Sequence, residues 1–361
     1  RKSPSLQKRA KVTHLGCKAT FAVDSYYQAV HIAIAVTGRL QKVLHNKLLS
    51  MDTVLSGIRP TGFLHLGNYF GALRNFIKMQ EENDCYFFVA DYHSLTTHPE
   101  AKELNYHIKN VIIDYIASGL DPEKATLYVQ SDVPEVCELS LLMSMNVYVG
   151  ELQRVSSFKE KVRRQPNNVN AGLLTYPILM ASDILLHRAD KVPVGKDQEQ
   201  HLEMTRDFAQ RFNHIYGVEY FKLPVAYNFG EELVKIPGLD GSTKMSKSDT
   251  GMSCIYLSDS PELIKKKVMK AVSDSGPTEP NQPKSQSVEN LFQLMRAVSA
   301  PETLAFFEDQ YNNCQIRYGD MKKQLAADIT NCVAPIYERI MELRSDDEYI
   351  RKAVKRGAEK A

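Results

Sequence analysis

In "STKMSKSDTGM", residues 242–252, Lys244 and Lys247 stand three positions apart among small hydroxyl residues and glycine. Two primary amines on such a stretch suit a loop that clamps a polyphosphate, although a lone KxxK pair is common. A second candidate lies upstream in "GFLHLGNYFGALRNF", residues 62–76, where His65 precedes Gly67-Asn68 and an amphipathic pattern begins. A glycine-containing loop that feeds a helix N-terminus offers backbone N–H groups and the positive end of the helix dipole to an anion. His65 adds a donor able to stabilise charge developing on a phosphate oxygen. The spacing fits neither GxGxxG nor the P-loop pattern, which disfavours dinucleotide binding and P-loop hydrolysis.

A third candidate is an acid in apolar company. In "GLLTYPILMASDILLH", residues 172–187, Tyr176, Met180 and Asp183 share one helix face at i, i+4 and i+7. A carboxylate there is costly to bury without a partner. One partner would be an ion pair with Arg188 or Lys191. The other would be a donor-only ligand group such as an indole N–H.

These residues need elements to hold them. "TVLSG" (53–57), "CYFFVADYH" (85–93), "TLYVQSDV" (126–133) and "KVPVG" (191–195) read as strands alternating with helical patterns. The helices expected are 67–80, with a stripe of Leu66, Phe70, Leu73, Phe76 and Ile77, and 101–118 ending at Gly119. That order predicts an α/β fold with a doubly wound parallel sheet, whose ligands sit outside the carboxyl ends of the strands. Four ends then supply polar groups to one crevice: Arg59-Pro60-Thr61, Asp91-Tyr92-His93, Gln130-Ser131 and Lys196-Asp197-Gln198. Beyond a polar, Pro-rich loop at 273–286 the pattern turns helical, over 289–298, 301–311 and one long helix from about 320 nearly to Ala361.

Charge is unevenly distributed. The first 50 residues carry nine Lys/Arg against a single acid, Asp24, while the remainder carries 36 basic against 42 acidic side chains. An acid-poor basic leader resembles an organelle transit segment, with the mitochondrion as the expected destination. The chain begins at Arg1 rather than Met, so an upstream continuation is expected. An acidic body would bind nucleic acid only through local patches. Candidates are residues 159–164, Lys265-Lys266-Lys267 with Lys270, and the C-terminal "RKAVKRGAEK". No apolar run approaches the roughly 20 residues of a membrane span. Six cysteines without a CxxC argue against a zinc site or a disulfide framework.

The "HxGN" of residues 65–68 resembles the HIGH signature of class I aminoacyl-tRNA synthetases. "KMSKS", residues 244–248, matches that class's second signature letter for letter, at a fitting separation of about 180 residues. With "GELQRVSSFKEK", "AGLLTYPILMASDILL" and "VPVGKDQEQHLEMTRDFAQRFN", the chain resembles bacterial-type tryptophanyl-tRNA synthetases from residue 54 to about 273, and more loosely in its tail. The resemblance implies a Rossmann-like catalytic domain at 52–250, with a dimer-forming insertion at about 136–187. It also implies a helical anticodon-binding domain at 251–361, whose last helix ends early, and a basic extension at 1–51.

By the same resemblance, ATP would lie against Arg59, Pro60, Thr61, Gly67, Asn68, Gly195, Lys196, Asp197 and Lys235, closed over by Lys244, Met245, Ser246, Lys247 and Ser248. Tryptophan would be held by Asp183, with Leu55, His93, Tyr176, Met180, Val192, Val194 and Gln198 around it. His65, Lys161, Lys244 and Lys247 would carry catalysis, with no resident metal and Mg²⁺ arriving on ATP. The partners implied are L-tryptophan, tRNA(Trp) and a second copy of the chain. The place implied is the mitochondrial matrix, or the cytoplasm if residues 1–51 are not a transit segment. Arg59 and Lys196 depart from the Gln and Glu of the bacterial pattern, and both add positive charge beside the ATP site. The alternatives are a tyrosyl-type enzyme, a non-catalytic RNA-binding paralogue and a nucleotidyltransferase; the last would lack the KMSKS loop and the helical tail.

Overall fold

Five parallel strands make the sheet: β1 (Thr53–Ile58), β2 (Asp84–Val89), β3 (Thr126–Val129), β4 (Lys191–Pro193) and β5 (Val225–Tyr227), in the order β3-β2-β1-β4-β5. The computed structural model describes residues 51–195, 198–227, 234–246 and 251–361. The basic segment 1–50 and, from the expected ATP site, Lys196, Asp197, Lys247 and Ser248 lie outside the described residues.

Successive side chains of a strand point to opposite faces, and here both faces are covered. Val54, Phe87 and Leu127 enter one apolar cluster, while Leu55, Phe88 and Tyr128 enter another on the opposite side. The strand order reverses between β1 and β4, where β1 pairs with β2 on one side and β4 on the other. Ligands of open α/β sheets gather at such a switch point.

Three of the four expected strands end earlier than expected, β2, β3 and β4, the first two of them at helical turns. After β2 the chain turns at Ala90 into the short helix Asp91–Ser94, and after β3 it makes a tight helical turn at Gln130–Asp132. The Asp91 carboxylate accepts the N–H groups of Tyr92 (3.0 Å) and Ser131 (3.1 Å), giving backbone donors a partner off the sheet. The three residues of β5 carry no pattern of their own, and were not expected.

Helix α1 covers residues 66–79 and contains a π-helical turn at Tyr69–Leu73. Its expected stripe buries Leu66, Phe70, Leu73 and Phe76. Helix α2 (Ala101–Ala117) ends before Gly119, whose φ of 113° favours glycine. The stretch between β3 and β4 is all helical: α3 (Glu135–Ser144), α4 (Val149–Arg154), α5 (Ser156–Arg164) and α6 (Ala171–Leu186). Helix α7 (Glu199–Tyr216) leads toward β5.

Helices α8 (Pro261–Met269), α9 (Gln286–Val298), α10 (Pro301–Asn312) and α11 (Tyr318–Arg344) follow. The expected single terminal helix is two. It breaks at Ser345-Asp346, where the Asp346 carboxylate accepts the N–H of Tyr349 and starts α12 (Asp347–Lys360). Short polar side chains compete for backbone donors in this way and end helices. Helix α12 lies against β3: a Cβ on Gly357 would stand 1.9 Å from the Leu127 carbonyl oxygen. The glycine lets the helix cover the open sheet edge. From Asp52 on, the chain is one compact unit.

Candidate active site

The loop after β1 carries the histidine. His65 is the N-cap of α1, with extended backbone and a buried ring. Its Nδ1 accepts the Asn68 N–H (3.3 Å), and the Asn68 side-chain oxygen accepts the His65 N–H (3.1 Å). This is a capping box with histidine in the serine position. Because Nδ1 accepts, the proton of the neutral ring is assigned to Nε2, which makes His65 a donor. Gly67 is required by crowding, since a Cβ there would meet the His65 ring at 2.9 Å and Met245 at 3.4 Å. Met245 of the second signature therefore stands beside Gly67 of the first. Lys244 is exposed, while Met245 is buried and donates its N–H to the Ile236 carbonyl at 2.7 Å.

A pair of cations sits nearby. Burial and the charge of Arg59 together lower the Lys161 ammonium to about 8. Burial also lowers Arg59, whose Nε has no hydrogen-bond partner. No carboxylate among the described residues offsets the repulsion between them. Lys161 Nζ rests over the Tyr176 ring, 3.4 Å from its centre. Two desolvated cations side by side are arranged for an anion of more than one charge. Gly195 is half-buried, and its N–H donates to the Gln198 side chain (3.2 Å). Lys235 is exposed, as is Thr61, while Pro60 is buried.

The acid lies on α6, the helix that also carries Tyr176. Asp183 is 4% exposed, and its oxygens accept from Gln130 Nε2 at 2.8 and 3.0 Å, with His93 Nε2 at 2.9 Å. Neither Arg188 nor Lys191 is its partner: Arg188 donates to the Tyr220 carbonyl, and Lys191 pairs with Asp52 at 2.5 Å. Burial raises the Asp183 carboxyl, and hydrogen bonds and charge from His93, with a bond from Gln130, oppose the rise. Leu55, Val192 and Val194 belong to one apolar cluster with Met180 packed against it. Four residues expected around the amino acid therefore share one apolar cluster.

In the sequence Gln130 stands at a strand end without a role of its own, and Ser157 and His201 are not singled out. The Tyr176 hydroxyl lies 2.5 Å from both Ser157 Oγ and His201 Nε2, which are themselves 3.0 Å apart. His201 follows Gln198 by three residues on one helical turn, and that spacing was the available signal. Of the expected basic patches, Lys265, Lys266 and Lys270 face solvent, whereas Lys267 turns inward and is buried.

Among the described residues no group of three or more His, Cys, Asp or Glu could hold a metal ion. None of their helices is long and apolar enough to cross a membrane.

A capped histidine after β1, a lysine-bearing loop beside it and a cation pair agree with the class I synthetase layout that the motifs resemble. A family model described as tRNA synthetases class I (W and Y) matches residues 51–334. The tryptophan–tRNA ligase of Porphyromonas gingivalis is 59% identical over 311 residues, 86% of this chain and 94% of that one. That of Fusobacterium nucleatum is 41% identical, covering 86% and 93%. The crystal structure of the Campylobacter jejuni tryptophanyl-tRNA synthetase, complexed with ADP and tryptophan, has a TM-score of 0.77 at 33% identity, covering 85% of this chain and 94% of that chain. The chain belongs to the class I tRNA synthetase family of the tryptophan and tyrosine enzymes. Within that family it falls in the bacterial-type tryptophan branch.

Proposed function

We infer that this site joins L-tryptophan to tRNA(Trp) in two steps. A tryptophan carboxylate oxygen attacks the α-phosphorus of ATP in line, the bond to the β-phosphate breaks, and pyrophosphate leaves. The terminal ribose 2′-hydroxyl of tRNA then attacks the carbonyl of the adenylate and AMP leaves. Neither step needs a protein nucleophile, so positioning and charge stabilisation carry the rate. A tyrosyl-type enzyme and a non-catalytic paralogue are not favoured by relatives this similar.

The observation that carries the tryptophan assignment is Asp183. Its carboxylate is buried beside an apolar pocket and offers about four lone-pair sites, of which Gln130 and His93 leave some open. An indole N–H is a donor without an acceptor, and fits that end. Leu55, Met180, Val192 and Val194 would flank the ring, with Gln198 and the Tyr176 hydroxyl toward the amino-acid head group. Pyrophosphate would meet Lys161 and Arg59, His65 Nε2 would donate to the phosphate chain, and Lys244 and Lys247 would close over it. Gly195, Lys196, Asp197 and Lys235 would face the nucleoside. Mg²⁺ would enter on the phosphates, where it neutralises charge on pyrophosphate and needs no protein cage.

The homodimer rests on a surface. Leu141, Leu142, Met145, Tyr148 and Val149 are 59–75% exposed at one end of the expected insertion. So contiguous an apolar patch marks an interface. Residues 251–361 would meet the anticodon. Bacterial relatives support cytoplasmic translation as the place of action, and the basic segment 1–50 supports the mitochondrial matrix; fusing residues 1–50 to a reporter separates the two. The deciding experiment for function is ATP–pyrophosphate exchange with each amino acid in turn. Tryptophan should drive it alone, and exchange driven by tyrosine instead would sink the assignment.

A further inference from the structure

Lys267 is the buried member of the lysine run on α8, and its Nζ lies 2.6 Å from Asp259 Oδ2, with both side chains at most 6% exposed. The ammonium also sits 4.6 Å from the centre of the Tyr256 ring. Asp259 Oδ2 accepts the Tyr256 N–H (2.9 Å), and the Asp259 N–H donates to the Tyr256 carbonyl (3.1 Å). A buried ion pair is a weak means of stabilising a fold, because apolar residues of the same volume often do as well or better. What this pair fixes is the turn at 256–259.

That turn ends a segment bonded to both signatures. On one side Ile255 accepts the Leu66 N–H and Leu257 donates to the Leu64 carbonyl, each at 2.9 Å, which brackets His65 opposite Tyr256. Asp114 holds the same loop from α2 by accepting the Leu64 N–H at 3.0 Å. On the other side the Ser253 hydroxyl donates to the Ser246 carbonyl (3.1 Å), inside the lysine-bearing loop. The Ser253 carbonyl accepts the Leu239 N–H at 2.9 Å.

We propose that the buried Asp259–Lys267 pair, acting through Tyr256 and residues 253–257, positions His65 and the Lys244 loop at the spacing that adenylate formation requires. Asp259 and Lys267 touch no substrate and are positioning residues. The proposal rests on the assignment of His65 and Lys244 to the ATP site. Its signature is a defect confined to the first step, with tryptophan binding and the fold intact.

The test is the full-length double variant Asp259→Leu/Lys267→Met, which replaces the pair by apolar groups. Its Tm should equal or exceed that of the unsubstituted protein. Its kcat for tryptophan-dependent ATP–pyrophosphate exchange should fall about 10–100-fold, the order by which losing a partner that orients a metal ligand lowers activity. The KM for tryptophan and the rate of transfer from preformed adenylate to tRNA should not change. If the double variant does not fold, Asp259→Asn, which keeps an acceptor for the Tyr256 N–H, should show the same split, and Lys267→Arg should restore most of the rate. An unchanged kcat in a folded variant overturns the proposal, as does an equal loss in both steps. Failure of the unsubstituted protein to catalyse any exchange would overturn the reading of the site itself, and the proposal with it.

Discussion

Asp183 and the Lys161–Arg59 pair handle charge in opposite ways. The Asp183 carboxylate is enclosed, yet Gln130 and His93 hold it. Lys161 and Arg59 are only partly buried, and their like charges repel with no acid among the described residues to offset them. A site that must choose its ligand can satisfy its recognition group in advance and leave it spare capacity. A site that must release pyrophosphate gains from cations left poor in partners, because the ligand then supplies the missing charge. On the proposed roles, selection and turnover ask for different electrostatics, and the chain meets them with different residues.

The contrast breaks most visibly at Asp183. Asp183→Ala should lower tryptophan-dependent exchange by about a thousandfold or more, since a pocket built around a buried polar partner discriminates by that order. A variant with near-normal kcat/KM for tryptophan would remove the specificity role. Next is His65→Ala, which takes away a donor to developing charge and should cost about 10²–10³ in kcat. An equal loss in tryptophan affinity measured by equilibrium dialysis would show that the residue shapes the amino-acid pocket instead.

The cation side sharpens through pH. Lys161 is pushed down to about 8, chiefly by burial and then by Arg59. Its charge, and with it pyrophosphate affinity, should fade as pH rises through 8, so the KM for pyrophosphate in the reverse reaction should climb there. The folded state binds this proton less tightly than the unfolded chain does. Lys161 therefore costs stability below about 8, and that cost disappears as pH rises from there toward the ordinary lysine value. Lys161→Met should accordingly raise the Tm of the ligand-free protein at pH 7 while lowering pyrophosphorolysis about tenfold or more, the loss of a charge-assisted contact. A lower Tm would contradict the strained-cation picture.

The smallest effect should come from Tyr176's neighbours. His201→Asn keeps a polar partner near the hydroxyl and should raise the KM for tryptophan only about threefold to tenfold, as for one neutral hydrogen bond. The KM for ATP should not move. A rise in both would place His201 in a joint role for the two substrates.

Much of this was legible in the chain as text. Continuous apolar runs announce strands buried on both faces, and a stripe at helical spacing announces α1, so the four expected strands and that helix could be read in place. The motifs "HLGN" and "KMSKS" carried their chemistry in residue types, because an anion site needs donors and cations whatever surrounds them. Contacts between residues far apart in the chain were not legible. The partners of Asp183 come from turns after β2 and β3, 90 and 53 positions away, whereas the neighbouring basic residues that sequence proximity suggested point elsewhere. The inward turn of Lys267, the break at Ser345-Asp346, the three residues of β5 and the hold of Ser157 and His201 on Tyr176 were likewise decided by packing. Local sequence sets which groups are available and how an element presents them; burial, which depends on what the folded chain brings alongside, sets which of those groups must find each other.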